Sequence, residues 1–253
     1  MSAEPVTGVK SDHYSYTVYA DPAMAEAFDR ARFGGPIGEL LAESQAAVLR
    51  DFAGTHLSGQ SALDVGTGTA RAALLLADAG ASVTALDASS EMLRVARGRA
   101  AARGAAIRFE VGDAHHLAHA DRSFDLVVSL RVLMHTPNWR QCVAELCRVA
   151  RHRVVVDFPA RGSVALLQAL ARRAAAAAGA RIEAYRVFSE AQIGGELRKH
   201  GYRVTRTHRQ FVLPIAFHKR LGSRALTERV EGGLETIGLL RLAGSPVTVL
   251  AER

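Results

Sequence analysis

Short apolar runs alternate with longer amphipathic stretches through the middle of the chain. Runs over 61–65, 82–86, 107–111, 126–130 and 153–157 predict buried strands, and the 3.6-residue periodicity over 70–79, 90–103 and 139–149 predicts helices between them. Upstream, Asp21 followed by Pro22 is a helix start, with helices over 23–32 and 37–52 separated at Gly34-Gly35-Pro36. Downstream come an alanine-rich helix over 163–178, a helix over 189–200 with Ser189 and Gln192 as a capping box, a strand over 202–213, a helix over 225–239 and a strand over 246–251. Strand–helix alternation predicts an α/β fold built on a seven-stranded, mostly parallel sheet with helices on both faces. Residues 1–56 read as an N-terminal helical segment. Residues 57–253 read as one α/β domain, with helical insertions near 161–181 and 214–243.

The first predicted strand ends in Leu63-Asp64-Val65-Gly66-Thr67-Gly68-Thr69-Ala70-Arg71. A strand running through a Gly-rich turn into a helix lets backbone approach a nucleotide-like ligand closely. The next strand ends in Asp87, a carboxylate able to take both hydroxyls of a ribose. A dinucleotide site needs a further glycine at a set spacing and a helix N-terminus open to pyrophosphate, and that glycine is missing. Asp64 would repel a pyrophosphate but suits an ammonium group. Asp64, Asp87, Asp113, Leu130 and Asp157 all fall near carboxyl ends of predicted strands, where ligands of such sheets bind.

With these residues the chain resembles the class I S-adenosylmethionine (SAM)-dependent methyltransferases, whose first motif is an acidic residue followed by Gly-x-Gly-x-Gly. The likeness continues through Leu86-Asp87-Ala88-Ser89-Ser90-Glu91-Met92-Leu93, Val111-Gly112-Asp113-Ala114, Phe124-Asp125-Leu126-Val127-Val128-Ser129 and Ala144-Glu145-Leu146-Cys147-Arg148-Val149, over roughly residues 60–160. It is nearest the small-molecule branch with ubiquinone and menaquinone biosynthesis methyltransferases. The resemblance implies a Rossmann-like fold, SAM as cofactor, and an N-terminal helical lid over it. It implies that Asp64 and the backbone of Gly66 and Gly68 serve the methionine moiety, Asp87 the ribose, Met92 an adenine face, and Asp113 with Ala114 the adenine edge. Ala88 and Leu130 complete the expected cofactor set. Relatives carry a Pro-Gly-Gly turn before the fifth strand, where Ala150-Arg151-His152-Arg153 stands here as the expected loop.

Composition narrows the chemistry. At 253 residues the chain can bury one large core. Cys142 and Cys147, five apart on a predicted helix, fit neither a disulfide nor a metal site and predict a reducing, cytoplasmic setting. No signal peptide is predicted at the N-terminus. The alanine-rich segment carries Arg172 and Arg173 and predicts no membrane span. Net charge is +7, but the arginines are scattered and lysine occurs only at 10, 199 and 219, so no nucleic-acid surface is predicted. Base-modifying relatives carry Asn/Asp-Pro-Pro-aromatic after the fourth strand, where Ser129-Leu130-Arg131-Val132 stands here. Metal-dependent relatives need carboxylates after the fourth and fifth strands; Asp157 has only Ser129 and Arg131 opposite, so no metal is expected.

Methyl transfer needs donor and acceptor held in line without water, with no obligatory nucleophilic side chain. His135, in Arg131-Val132-Leu133-Met134-His135-Thr136-Pro137, is the candidate catalytic residue, as a base or as a wall of the acceptor pocket. His115, His116 and His119 read as solvated loop residues. Phe211-Val212-Leu213-Pro214-Ile215-Ala216-Phe217 reads as an acceptor-pocket wall or as core. The expected activity is methyl transfer to oxygen or carbon of a hydrophobic small molecule. The alternatives are a SAM-binding partner subunit without catalysis, or a SAM-assisted isomerase or cyclase.

Overall fold

The computed structural model describes residues 21–177 and 185–253. Tyr14, Tyr16 and Tyr19, the first part of the expected lid, and the end of the insertion near 161–181 lie outside the described residues. Elements run α1 (Pro22–Phe33), α2 (Gly35–Ala53), β1 (Ser61–Val65), α3 (Arg71–Asp78), β2 (Ser82–Asp87), α4 (Ser90–Ala102), β3 (Ile107–Val111), β4 (Phe124–Ser129), α5 (Trp139–Val149) and β5 (Ala150–Phe158). They continue with α6 (Ala165–Ala177), α7 (Glu190–Lys199), β6 (Arg203–Phe211), α8 (Ile215–Leu221), α9 (Arg224–Thr236), α10 (Leu239–Ala243) and β7 (Ser245–Glu252).

The seven strands form one sheet in the order β3-β2-β1-β4-β5-β7-β6. β1 to β5 pair in parallel, and β7 lies antiparallel between β5 and β6. Period-two alternation splits the strand residues between two cores. Leu63, Val127, Val154, Val156 and Val249 pack with Cys142, Val143 and Leu146 of α5 and with Ile193 and Leu197 of α7. Ala62, Leu126, Val128, Val155 and Leu250 pack with Val48, Leu49 and Phe52 of α2, Ala73 and Leu76 of α3 and Ala96 and Ala100 of α4.

Local chemistry sets the ends of these elements. The Asp21 side chain accepts the Ala23 N–H with Pro22 in the first turn of α1, and Ser189 and Gln192 form the reciprocal capping box of α7. The break between α1 and α2 falls at Gly34 alone, because Gly35 and Pro36 already form the first turn of α2, where proline's missing donor costs nothing. The loop expected at 150–153 is absent: the Ala150 N–H closes α5 on Leu146, and β5 begins at Ala150, paired with Phe124. Tyr202 locks this junction, its hydroxyl donating to the Ala150 carbonyl at 2.7 Å. Cys142 and Cys147 are both free and buried, and burial pushes each thiol up to about 12.

Candidate active site

The sheet order reverses between β1 and β4, and a cleft opens outside the carboxyl ends of these strands. Asp64, Gly66, Gly68, Asp87, Ala88, Met92, Ala114, Leu130 and His135 all line it.

The Gly-rich turn is organised from its two ends. Asp64 is 2 % exposed, and its Oδ2 accepts from Thr67 Oγ1 at 2.7 Å and from the Ala73 N–H at 3.1 Å. Burial pushes this carboxyl up to about 6, against the pull of those two donors. Gly66 adopts φ +72°, and a Cβ there would lie 2.2 Å from Val132 Cγ2, so only glycine lets the turn pass beneath the loop that follows β4. Ala70 stands at the third glycine position of the motif yet keeps a left-handed φ of +64°. The turn conformation therefore survives without that glycine.

Asp87 ends β2 and accepts the Gly68 N–H at 2.8 Å and the Ser89 N–H at 2.9 Å. Burial raises its carboxyl above the ordinary range, while the backbone donors at Ser89, Gly68 and Ala88 oppose the rise. Ser89 in turn caps α4 by accepting the Met92 N–H, which fixes the 3 % exposed Met92 against the turn. Asp113 is the exception among the expected cofactor residues. Gly112, Ala114 and His115 line the cleft, whereas Asp113 is turned to His115, its Oδ1 meeting both the backbone N–H and Nδ1 of that histidine.

His115 also departs from the solvated loop residue expected. It is buried, and the Asn138 N–H donates to its Nε2 at 3.3 Å, so Nδ1 is the nitrogen that donates to Asp113. This ring bridges the loop after β3 to the loop after β4. The signal was the Asp-x-His spacing, a local turn in which the side chain of Asp113 bonds two residues on.

From the segment after β4, Leu130, Arg131, Val132, His135, Thr136 and Pro137 line the cleft. Ser129 donates to the Val65 carbonyl at 3.0 Å, and Arg131, with φ +66°, donates its N–H to Asp157 Oδ1 at 2.5 Å. Asp157 is 2 % exposed and burial raises its carboxyl, an effect opposed by Arg131, Arg32 and His135. Among the described residues, no three His, Cys, Asp or Glu side chains converge to hold a metal ion. The His135 ring lies 6.3 Å from that of Tyr185. Phe28, Arg32 and Phe33 of α1 and Gln45 of α2 close the mouth, residues that sequence reasoning did not single out. The Phe211–Phe217 run does not line the cleft; Phe211 packs on His218, and α8 to α10 lie against α2 and β6 at the far edge of the sheet.

Residues 63–156 match a family model described as "Methyltransferase domain". Methyltransferase GfsG of Streptomyces halstedii is 35% identical over 113 residues, 42% of this chain and 41% of that protein. The demethylmenaquinone methyltransferase of Thermus thermophilus is 36% identical over 102 residues, 38% of this chain and 46% of that protein. Over residues 63–156 the chain is thus similar to methyltransferase domains. Its matches span less than half the length of both relatives. In fold it is similar to magnesium protoporphyrin IX methyltransferase from Synechocystis PCC 6803, solved with bound S-adenosylhomocysteine (SAH), with TM-score 0.62 and 21% identity over 94% of this chain and 99% of that one. No helix among the described residues is long and apolar enough to cross a membrane.

Proposed function

We propose that the chain binds SAM in this cleft and transfers its methyl group to oxygen or carbon of a hydrophobic small molecule. The observation that carries this reading is the continuity of one cleft from the Asp64–Asp87 end to the His135 segment. The donor set fits the cofactor: a buried acid for an ammonium, left-handed backbone for close approach, and a second acid with lone pairs to spare for ribose hydroxyls. Met92 and Ala114 would flank the adenine, with Ala88 and Leu130 beside them. Asp113 would act through His115 rather than on the adenine edge itself.

SAM supplies an electrophilic methyl on a sulfonium. The protein's part is to align the acceptor and exclude water. Phe28, Phe33 and Val132 give the acceptor side an apolar wall, and α1 and α2 would serve as the lid over both molecules. His135 would take the proton of an acceptor hydroxyl as the new bond forms. The free thiols of Cys142 and Cys147 accord with a reducing cytoplasm.

The test is incubation with methyl-labelled SAM and a panel of hydroxylated aromatic and quinol acceptors. The expected result is label in the acceptor and stoichiometric SAH. Binding of SAH with no transfer to any acceptor would instead favour a silent partner subunit. An acceptor rearranged while SAM stays intact would favour isomerisation or cyclisation.

A further inference from the structure

Arg131 is left unused by the methyl-transfer reading, yet its placement is specified closely. Its φ of +66° is a conformation that side-chain-bearing residues rarely adopt, and its N–H is pinned to the buried Asp157. Arg131 follows Leu130 on the lining of the cleft, beside Val132 and on the same loop as His135. Its Nε is buried and has no hydrogen-bond partner. Among the described residues the guanidinium is in no ion pair, and the carboxylate that feels it, Asp157, already spends Oδ1 on the Arg131 backbone.

The other carboxylates of the cleft are committed elsewhere. Asp64 is held by Thr67 and Ala73, and Asp87 by Gly68 and Ser89. Arg32 faces the same region, since Tyr185 and Asp157 both respond to Arg131 and Arg32 together. A bound sulfonium would add positive charge to this end. A half-buried guanidinium whose Nε bonds to nothing, with Asp157 near but not hydrogen-bonded to it, leaves donors that a ligand could satisfy, and its planar fork matches a carboxylate.

We propose that the acceptor is an apolar molecule bearing a carboxylate, and that the guanidinium of Arg131 binds that carboxylate beside His135. The proposal rests on the methyl-transfer reading and narrows its substrate class. A carboxylate is also present on SAM, so the test must separate the two sources.

The probes are 1-hydroxy-2-naphthoate and its uncharged methyl ester, titrated calorimetrically into SAH-loaded protein. The expected result for wild type is tighter binding of the acid than of the ester by roughly 10-fold or more, the scale of a charge-assisted pair. In Arg131→Asn, a residue that tolerates left-handed backbone, the difference should fall to within about twofold, with SAH affinity unchanged. Arg131→Lys should restore part of it. Equal binding of acid and ester by wild type, or no binding of either while SAH binds, overturns the proposal. So does a loss of SAH affinity in Arg131→Asn whose thermal unfolding matches wild type, which would assign Arg131 to the donor's carboxylate. Failure of wild type to bind SAH at all would strike the methyl-transfer reading instead.

Discussion

The carboxylate of Asp87 accepts the backbone N–H of Gly68 at 2.8 Å, tying the end of β2 to the middle of the turn that follows β1. One side chain thereby holds the turn and presents its remaining lone pairs to the cleft. Asp87→Ala should lose both functions. We expect SAH affinity to fall by roughly 10- to 100-fold, the worth of one charge-assisted hydrogen bond or more, and unfolding stability to fall by about 1–3 kcal/mol as the Gly68 and Ser89 donors lose their acceptor. Calorimetry and urea titration read the two effects separately; unchanged SAH affinity would remove Asp87 from the ribose site.

Asp64 gives the cleft a pH dependence. Its folded-state pKa of about 6 lies above the ordinary 3.8, so the folded protein holds the proton more tightly than the unfolded chain. The stability this contributes is complete below the unfolded value and is lost as pH rises through about 6, a swing on the order of 2–3 kcal/mol. An ammonium ligand needs the opposite, ionised form. SAH affinity should therefore climb by up to about tenfold per unit as pH approaches 6 and level off above it, while Asp64→Asn flattens both profiles. A wild-type affinity independent of pH from 5 to 7.5 would show that nothing cationic meets Asp64.

Gly66 and Val132 should behave as a coupled pair. Gly66→Ala incurs about 1–2 kcal/mol for its left-handed backbone and about 1–3 kcal/mol for the collision with Val132. Val132→Ala in the same chain should recover the collision but not the backbone cost. Urea titrations of the four proteins in the cycle check this, and strict additivity would contradict the close approach.

His135→Asn separates a base from a wall. If His135 takes the acceptor proton, kcat should fall by about 100-fold or more while SAH affinity and stability hold. A kcat within about threefold of wild type, with acceptor KM raised, would leave alignment as the main device and make His135 part of the pocket surface.

The Asp64–Asp87 end of the cleft was legible because its structure is local: Asp64, the Gly66–Gly68 turn, Asp87 and Met92 lie within thirty residues and are joined by short turns and a cap. The opposite end depends on how distant segments dock. Phe28, Arg32 and Phe33 reach the cleft because α1 lies across α4, fastened by Glu26 to Arg94, Asp29 to Arg99 and Thr69 to Asp29. None of those pairings has a sequence signature. Between the two readings of the Phe211–Phe217 run, strand order rather than apolarity decides: β6 lies three strands away from β4, so the run stays off the cleft, with Phe211 and Val212 buried. The contact of Asp113 with His115 was not legible as such, since it is made at close range by Oδ1 to a residue two positions on.

The antiparallel placement of β7 between β5 and β6 bears on the order in which the molecule assembles. β6 touches the sheet only through β7, although β7 is made after it. On a growing chain, residues 28–137, which among the described residues contribute the side chains lining the cleft, can form β1 to β4 with their helices as a unit of short-range contacts. β6 and the helices that follow it must then wait, with an unpaired edge on β5 as the surface they await. The early part of the chain thus supplies the side chains that face the cleft, while β5, through Asp157, fixes the loop that carries Arg131, and the last strand closes the sheet.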